Sequence, residues 1–166
     1  MIGDWKDAIA FVLEQEGGYT LDPNDPGGET NFGISKKAYP NEDIKNMTVD
    51  RASQIYERDY WIPCHCDQLP APFAIAVFDT AVNQGTGTAT KILQRALKLT
   101  ADGIIGPNTL NAANSAGPRA VKLFLAERLA SYARLMAAQS NLLVFAVNWS
   151  FRVVSLAELI LKEHEL

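Results

Sequence analysis

The strongest constraint on the fold is a long helical repeat of apolar residues in the second half of the chain. Over residues 118–139, apolar side chains recur every three or four positions, which is the period of an amphipathic α-helix. Pro118 suits the first turn of such a helix, where its missing N–H is not needed. The stripe consists of Val121, Phe124, Leu125, Leu129, Tyr132, Leu135 and Met136. We therefore expect a largely helical protein.

Shorter patterns of the same kind predict helices along most of the remaining chain. A first helix ends before Gly17-Gly18, and residues 19–35 are rich in Gly, Pro, Asp and Asn, which is typical of a loop or short hairpin. Further helices are expected at residues 48–60, 72–84, 88–99, after Pro107, and at about 149–163. The predicted class is mainly α with a small β-hairpin or loop element after the first helix.

The charge of the chain argues against several classes of partner. The formal net charge is −4 in 166 residues, whereas nucleic-acid binding needs a basic face and an anionic membrane needs a polybasic segment. The most apolar late stretch, residues 142–147, is too short to span a bilayer, so we expect no stable membrane insertion. Residues 1–16 do not resemble a signal peptide, so synthesis in the cytoplasm is expected.

Two cysteines flank a histidine in Cys64-His65-Cys66, a grouping that suggests zinc. A closed zinc site needs four ligands, and the other histidine, His164, lies near the far end of the chain. Cysteines this close in sequence also rarely form a disulfide, because the geometry is strained. We therefore predict reduced thiols, with no metal and no cofactor.

Glu16 is the residue that most strongly suggests chemistry. At helical spacing it shares a face with the apolar residues at positions 5, 8, 9, 12 and 13, whereas Glu14 points away. Lost hydration and the negative end of the helix dipole both disfavour a carboxylate anion. Such a group could hold a proton and donate it to a leaving oxygen, as a general acid does. The alternative is a helix-end glutamate that bends out into water.

The loop after this helix offers partners for an acid. Asp22, Asp25 and Thr30 follow Glu16 closely, and glycoside hydrolysis needs an acid on one side of the scissile bond and a carboxylate or an oriented water on the other. Asp25 and Thr30 are therefore candidates for holding that water, and Asp22 for contacting substrate. Asp-Pro pairs are also common turn formers, so both aspartates could simply shape the loop.

A long, ordered series of motifs resembles the glycoside hydrolase 108 family of N-acetylmuramidases, which occur as phage endolysins and as bacterial proteins. The first motifs are Glu16-Gly17-Gly18-Tyr19, Asp22-Pro23-x-Asp25-x-Gly27-Gly28-x-Thr30 and Gly33-Ile34-Ser35. The series continues through Tyr60-Trp61-x-Pro63, Asp67-x-Leu69-Pro70 and Phe78-Asp79-x-Ala81-Val82-Asn83-x-Gly85. Leu93-Gln94-x-Ala96-Leu97 and Asp102-Gly103-x-x-Gly106-Pro107-x-Thr109-Leu110 resemble the family's predicted peptidoglycan-binding part.

The resemblance implies a fold, a substrate and a catalytic residue. The family's catalytic glutamate corresponds to Glu16, in a lysozyme-like helical fold with a cleft beside that helix. Residues 1–90 would form the catalytic part and residues 91–166 the peptidoglycan-binding part, packed as one compact unit. Peptidoglycan glycan strands are the expected partner of a monomeric protein. A holin or another export helper would be needed before the protein acts on the cell wall.

Several other residues are candidate substrate contacts. Asp79 and Asn83 lie one helical turn apart and could bind sugar groups; alternatively, Asp79 accepts a buried hydrogen bond and Asn83 caps the helix. Tyr19 and Trp61 could stack on sugar rings, although aromatic residues more often pack in the core or at its rim. Arg128 lies on the apolar side of its helix, where it could pair with a carboxylate that the sequence does not identify. The C-terminal segment departs from the family's Gly-Trp and Arg-rich ending, so Trp149 and Arg152 are only weak candidates for substrate contacts.

Three functions remain open at this point. The first is hydrolysis of the β-1,4 bond between N-acetylmuramic acid and N-acetylglucosamine, with Glu16 as the acid. The second is a lytic transglycosylase, which would cut the same bond and leave 1,6-anhydromuramic ends. The third is a non-catalytic wall-binding or secretion-assisting protein that uses residues 102–110.

Overall fold

Seven α-helices and one three-stranded antiparallel sheet form the fold of the described residues. This computed structural model describes residues 5–21 and 28–164. The helices are α1 (Trp5–Glu16), α2 (Val49–Tyr56), α3 (Ala71–Gln84), α4 (Thr86–Ala96), α5 (Pro107–Asn114), α6 (Pro118–Ala138) and α7 (Ala146–His164). The strands are β1 (Thr20–Leu21), β2 (Glu29–Asn31) and β3 (Ile34–Ser35). The predicted mainly α class with a small β element is confirmed.

The sheet follows α1 directly and has the strand order β1-β2-β3. Thr20 pairs with Thr30 across the first pair of strands, and Asn31 pairs with Ile34 across the second. A tight turn at Phe32 and Gly33 joins β2 to β3, and both residues have a positive φ. This turn is the part of the sheet that reaches the site described below.

Most helix ends lie where capping residues predict them. Gly17 adopts a φ of +74° just beyond α1, and the Thr48 hydroxyl accepts a hydrogen bond from the Arg51 backbone N–H at 3.2 Å before α2. Gly85 ends α3, and Pro107 opens α5. Capping is a local interaction, and this is why the sequence predicts these boundaries well.

Three helix predictions need correction. The helix expected over residues 88–99 begins at Thr86 and ends at Ala96. The helix expected over residues 48–60 ends as an α-helix at Tyr56 and continues as a π-helical turn, Glu57–Trp61. The last helix begins at Ala146 rather than near residue 149, after a 3₁₀ turn at Ser140–Phe145. Neither change of helical type alters the spacing of apolar residues in the sequence, because α-, π- and 3₁₀-helices all place residues three to five apart on one face.

Helix α3 lies at the centre of the molecule and packs against α1, α4, α6 and α7. Nearly every residue over its first three turns is buried, including Phe73, Val77 and Phe78. A helix that is apolar on all sides is expected to be enclosed by other helices. Asp79 is buried within this helix, and the site is built around it.

The buried face of α6 differs from the predicted stripe. Val121, Phe124, Arg128 and Tyr132 are its buried residues, whereas Leu129 and Leu135 are exposed. Arg128 is buried on the apolar side of the helix, where the sequence placed it. The Arg128 charge can be buried there because a carboxylate of α3 neutralises it.

Helix α7 and the 3₁₀ turn before it form a longer apolar segment than residues 142–147, the stretch considered from the sequence. The segment Ser140–Leu161 is 22 residues long, and an 18-residue stretch of it has a mean hydropathy of 1.5, enough by length and composition to cross a membrane; 22% of that stretch is buried. The expectation that the late apolar stretch is too short was wrong, because it considered residues 142–147 alone. Length and composition do not distinguish a spanning helix from a packed one, and Arg152 of this helix is buried against Asp79.

One hydrophobic core contains residues from both halves of the chain, from Ile9 in α1 to Ile160 in α7. Cys64 and Cys66 are both free and buried in this core. Within residues 5–21 and 28–164, no group of three or more His, Cys, Asp or Glu side chains is arranged to hold a metal ion.

Candidate active site

Glu16 is the last residue of α1, and its side chain is partly enclosed. The buried face of the helix carries Ala8, Ile9 and Val12, and Glu16 follows on that side with 22% of its side chain exposed. Gly17 then turns the chain away in a left-handed conformation. The Glu16 carboxyl is therefore not freely exposed to water. This contradicts the alternative interpretation of the sequence, in which Glu16 bends out from the helix end into water.

The turn between β2 and β3 closes one side of the Glu16 carboxyl. Gly33 has a φ of +73°, and a Cβ atom at this position would lie 2.7 Å from Glu16 Oε2 and 2.7 Å from the Tyr56 hydroxyl oxygen. The Tyr56 hydroxyl donates a hydrogen bond of 2.7 Å to the Phe32 carbonyl. Only glycine fits here, because it tolerates the backbone conformation and leaves room for the carboxyl.

Tyr56 keeps its proton in this setting. Burial raises the pKa of Tyr56, and the nearby Glu16 charge raises it further. The phenol is therefore a permanent hydrogen-bond donor that holds the turn against α2.

Arg152 of α7 closes the other side of the carboxyl. Its Nη1 donates to Glu16 Oε1 at 2.8 Å, while its Nε and Nη2 donate to Asp79 Oδ1 at 2.9 and 2.7 Å. Burial works against the charge of Arg152, but Asp79 and Glu16 raise the pKa of its guanidinium. Arg152 thus remains a cation between two acidic side chains.

Asp79 anchors this arrangement from the interior. Its Oδ2 accepts a hydrogen bond from Arg128 Nη1 at 2.5 Å, so both of its oxygens are bound to arginines. Burial alone would raise the pKa of Asp79, but the charges of Arg128 and Arg152 lower it below the ordinary value. The carboxylate is therefore ionised in the core and holds both guanidinium groups.

Tyr132 extends the network to the surface of α3. Its hydroxyl accepts from Arg128 Nε and Nη2 at 3.2 and 3.1 Å and donates to Asn83 Oδ1 at 2.5 Å. Its ring stacks on Trp149, with the centroids 4.6 Å apart. Phe145 stacks on the same indole at 5.6 Å.

A pocket of about 550 Å³ opens beside Arg152 and the end of α1. It is lined by Gln15, Asn83, Phe145, Val147, Asn148, Trp149, Phe151 and Arg152. Aromatic rings together with amide and guanidinium groups are the usual means of binding a sugar, since rings pack on its faces and polar groups reach its hydroxyls. Glu16 is not among the lining residues, but its chain neighbour Gln15 and its ion-pair partner Arg152 are.

The structure places the remaining predicted residues in different surroundings. Thr30 lies in β2 and is half-buried, and Tyr19 is 40% exposed with its hydroxyl donating to Glu29 Oε2 at 3.2 Å. Asp22 and Asp25 lie outside the described residues. The roles of all four residues stay predictions.

Two predicted substrate contacts are corrected by their burial. Trp61 is only 4% exposed and packs edge-to-face against Trp5 and Phe78, so no ring face is free to stack on a sugar. Asp79 is fully buried and serves as the acceptor that the alternative reading proposed. Asn83 does line the pocket, while its Oδ1 is bound to Tyr132.

Three features of the site were not predicted from the sequence. Neither the close approach of Gly33 to Glu16 nor the partner of Arg128, which is Asp79, was identified. Arg152 was expected only as a weak substrate contact, whereas it pairs directly with Glu16. A buried arginine on an apolar helix face was the one available signal, since such a charge requires an acidic partner.

Comparison with known proteins identifies the family. The sequence profile of glycosyl hydrolase 108 matches residues 9–85, and that of a predicted peptidoglycan domain matches residues 88–154. A solved structure described as "Structure of Brucella abortus SagA" is 30% identical, with a TM-score of 0.79, and the alignment covers 95% of this chain and 94% of that one. The chain belongs to the glycosyl hydrolase 108 family. No curated protein sequence matches it.

Membership of glycosyl hydrolase 108 confirms the resemblance seen in the motifs and the lysozyme-like helical fold. At the level of the family, the chain is a glycoside hydrolase that acts on peptidoglycan and carries a peptidoglycan-binding domain. The site crosses both matched segments. Glu16 and Asp79 belong to the hydrolase segment, whereas Arg128 and Arg152 belong to the peptidoglycan segment.

Proposed function

We propose that the protein is a muramidase that hydrolyses the β-1,4 bond between N-acetylmuramic acid and N-acetylglucosamine, with Glu16 as the general acid. The observation that carries this proposal is the Glu16 carboxyl, held between the Gly33 turn and Arg152 next to a pocket lined by aromatic and polar groups. Acid-catalysed glycoside hydrolysis requires a positioned carboxyl group beside a pocket that can hold a sugar, and the lining of this pocket suits one.

The reaction assigned to Glu16 is proton transfer to the glycosidic oxygen. As the bond between the anomeric carbon and that oxygen breaks, its electron pair stays on the oxygen, which takes the proton from the Glu16 carboxyl. Water then adds to the anomeric carbon and gives up a proton to the solvent, so that a reducing end forms, and the Glu16 carboxylate takes a proton back from the solvent. We assign the holding of this water to Asp25 and Thr30.

Replacing Glu16 with glutamine tests the proposal most directly. Glu16→Gln keeps the shape of the side chain but removes the proton, so we expect release of reducing sugar from purified peptidoglycan to fall by about 100-fold or more. Glu14→Gln is the matched control, because Glu14 lies in the same helix and is exposed. If Glu16→Gln released reducing ends at the parent rate, Glu16 would not be the acid.

Mass spectrometry of the digested muropeptides separates the competing functions. Muramic acid at the reducing ends supports hydrolysis of the proposed bond. Products that end in 1,6-anhydromuramic acid would instead assign a lytic transglycosylase. Sedimentation of the protein with peptidoglycan, without any new ends, would assign a binding protein.

A further inference from the structure

The guanidinium of Arg152 is divided between two acidic side chains. Two of its nitrogens bind one oxygen of Asp79, at 2.7 and 2.9 Å, and the third binds Glu16 Oε1 at 2.8 Å. The planar fork of an arginine allows this division, because its donors have fixed relative directions. The position of Asp79 therefore determines where the nitrogen facing Glu16 lies.

Asp79 is itself held in place. It is fully buried, and its second oxygen is bound to Arg128, whose side chain is also completely enclosed. Arg128 is bound in turn to the Tyr132 hydroxyl. A group of buried charges with its hydrogen bonds satisfied resists movement, since any displacement leaves a charge unpaired.

Glu16 needs such support, because it lies at the end of a helix. Gly17 and Gly18 follow it, and a Cβ atom at either glycine would meet nothing within 4 Å. Among residues 5–21 and 28–164, nothing therefore packs over these two glycines beside Glu16. The described contacts that do restrain its carboxyl are Gly33 near Oε2 and Arg152 on Oε1.

We infer that Arg152 is a positioning residue for Glu16, and that the peptidoglycan-binding segment thereby completes the catalytic site. This inference rests on the proposed role of Glu16. Arg152 and Arg128 lie in the segment matched by the predicted peptidoglycan domain, so that segment does more than hold the wall. The peptidoglycan segment supplies the Arg152 guanidinium, which orients the Glu16 carboxyl. The hydrolase segment supplies Asp79, which orients that guanidinium.

The test uses the full-length chain and two substitutions of Arg152. Arg152→Lys keeps the charge, but a single ammonium group cannot reproduce the fork, and Arg152→Gln removes the charge. Kinetics are measured on soluble, uncross-linked glycan strands at a temperature below the melting transition of each variant. We expect kcat to fall by about 100-fold, the usual effect of misplacing a catalytic group by about 1 Å, with KM within about twofold of the parent.

A control and a rescue experiment exclude a purely structural effect. Arg134 is an exposed arginine of α6 in the same matched segment, and Arg134→Gln should leave both constants unchanged. In Arg152→Ala, millimolar guanidinium should restore part of kcat, whereas methylammonium, a cation without the fork, should restore less.

Each outcome decides the inference. A rise in KM with an unchanged kcat would make Arg152 a substrate contact, and unchanged kcat and KM would remove any role in catalysis. If neither Arg152→Lys nor Arg152→Gln folds, Arg152 is needed for the fold itself. Any one of these three results (a raised KM alone, unchanged constants, or failure of both variants to fold) overturns the positioning role. The proposed function fails separately if Glu16→Gln is active. An inactive Glu16→Gln beside fully active Arg152 variants would overturn this inference alone.

Discussion

A single glycine limits the space around the Glu16 carboxyl. Gly33 combines a positive φ with a close approach to Glu16 Oε2 and the Tyr56 hydroxyl, so the turn between β2 and β3 touches the carboxyl directly. The motif Gly33-Ile34-Ser35 is one of those that resemble the glycoside hydrolase 108 family. The structure gives a physical reason for a glycine at this position.

Gly33→Ala should therefore inactivate the enzyme without unfolding it. The new methyl group would lie within 2.7 Å of Glu16 Oε2 and displace the carboxyl, so we expect kcat to fall by about 100-fold. Gly85→Ala is the matched control, because Gly85 also has a positive φ, of +86°, and its Cβ would meet nothing within 4 Å. Both substitutions should lower the free energy of unfolding by about 1–2 kcal/mol, from the strained backbone. Equal activity in the two variants, measured as release of reducing sugar, would contradict this account.

At the scale of elements, the connection between α4 and α5 is organised by one buried glutamine. Gln94 Nε2 donates to Asp102 Oδ1 at 2.6 Å and to the Ile104 carbonyl at 3.0 Å, while Gln94 Oε1 accepts from the Gly103 N–H at 2.9 Å. Asp102 Oδ1 also accepts from the Ile104 N–H. The family motif through Gln94 and Asp102-Gly103 thus has a structural role, whatever it contributes to wall binding.

Gln94→Ala should loosen this connection and leave the chemistry intact. Removing the side chain leaves the partly buried partners of Gln94 without their hydrogen bonds, so we expect the free energy of unfolding to fall by about 1–3 kcal/mol. The kcat on soluble glycan strands should not change, because none of these atoms belongs to the network around Glu16. Urea unfolding measures the first effect, with Gln54→Ala in the exposed face of α2 as the control, expected within about 0.5 kcal/mol of the parent. A loss of kcat without a loss of stability would reverse this assignment.

At the scale of the molecule, the charged network joins elements that are distant in sequence. Asp79 in α3 is bound to Arg128 in α6 and to Arg152 in α7, and Arg152 reaches Glu16 in α1. The arginines hold the pKa of Asp79 below its ordinary value despite its burial. Because the folded pKa is the lower one, the stabilisation by Asp79 is present above the unfolded pKa of about 3.9 and is lost as the pH falls through the folded value.

Asp79→Asn should accordingly change stability in a pH-dependent way. At pH 7 we expect its free energy of unfolding to be about 3–5 kcal/mol below that of the parent, since the buried Arg128 loses its counter-charge and Arg152 keeps only Glu16. Below about pH 4 the parent should lose stability faster, so that the difference narrows. Urea unfolding between pH 3 and pH 7 measures both effects. A difference that is constant across this range would show that Asp79 contributes no titrating charge.

The sequence by itself predicted the features that depend on neighbouring residues. Apolar period and capping residues gave the end of α1 before Gly17, the Thr48 cap and the starts of α5 and α6, since these rest on contacts within about one helical turn. The same period placed Glu16 on the inward side of α1, and its motif led to the family.

Only the tertiary structure decided which side chains surround Glu16. The bond from Arg152 to Glu16 joins residues 136 apart in sequence, and those from Arg152 to Asp79 join residues 73 apart, so no local pattern encodes either partner. Trp61 and Asp79 were misjudged for the same reason, because burial depends on which helices pack over a residue. Periodicity shows which face of a helix turns inward, but only the packing of α1, α3, α6 and α7 determines which charges meet there.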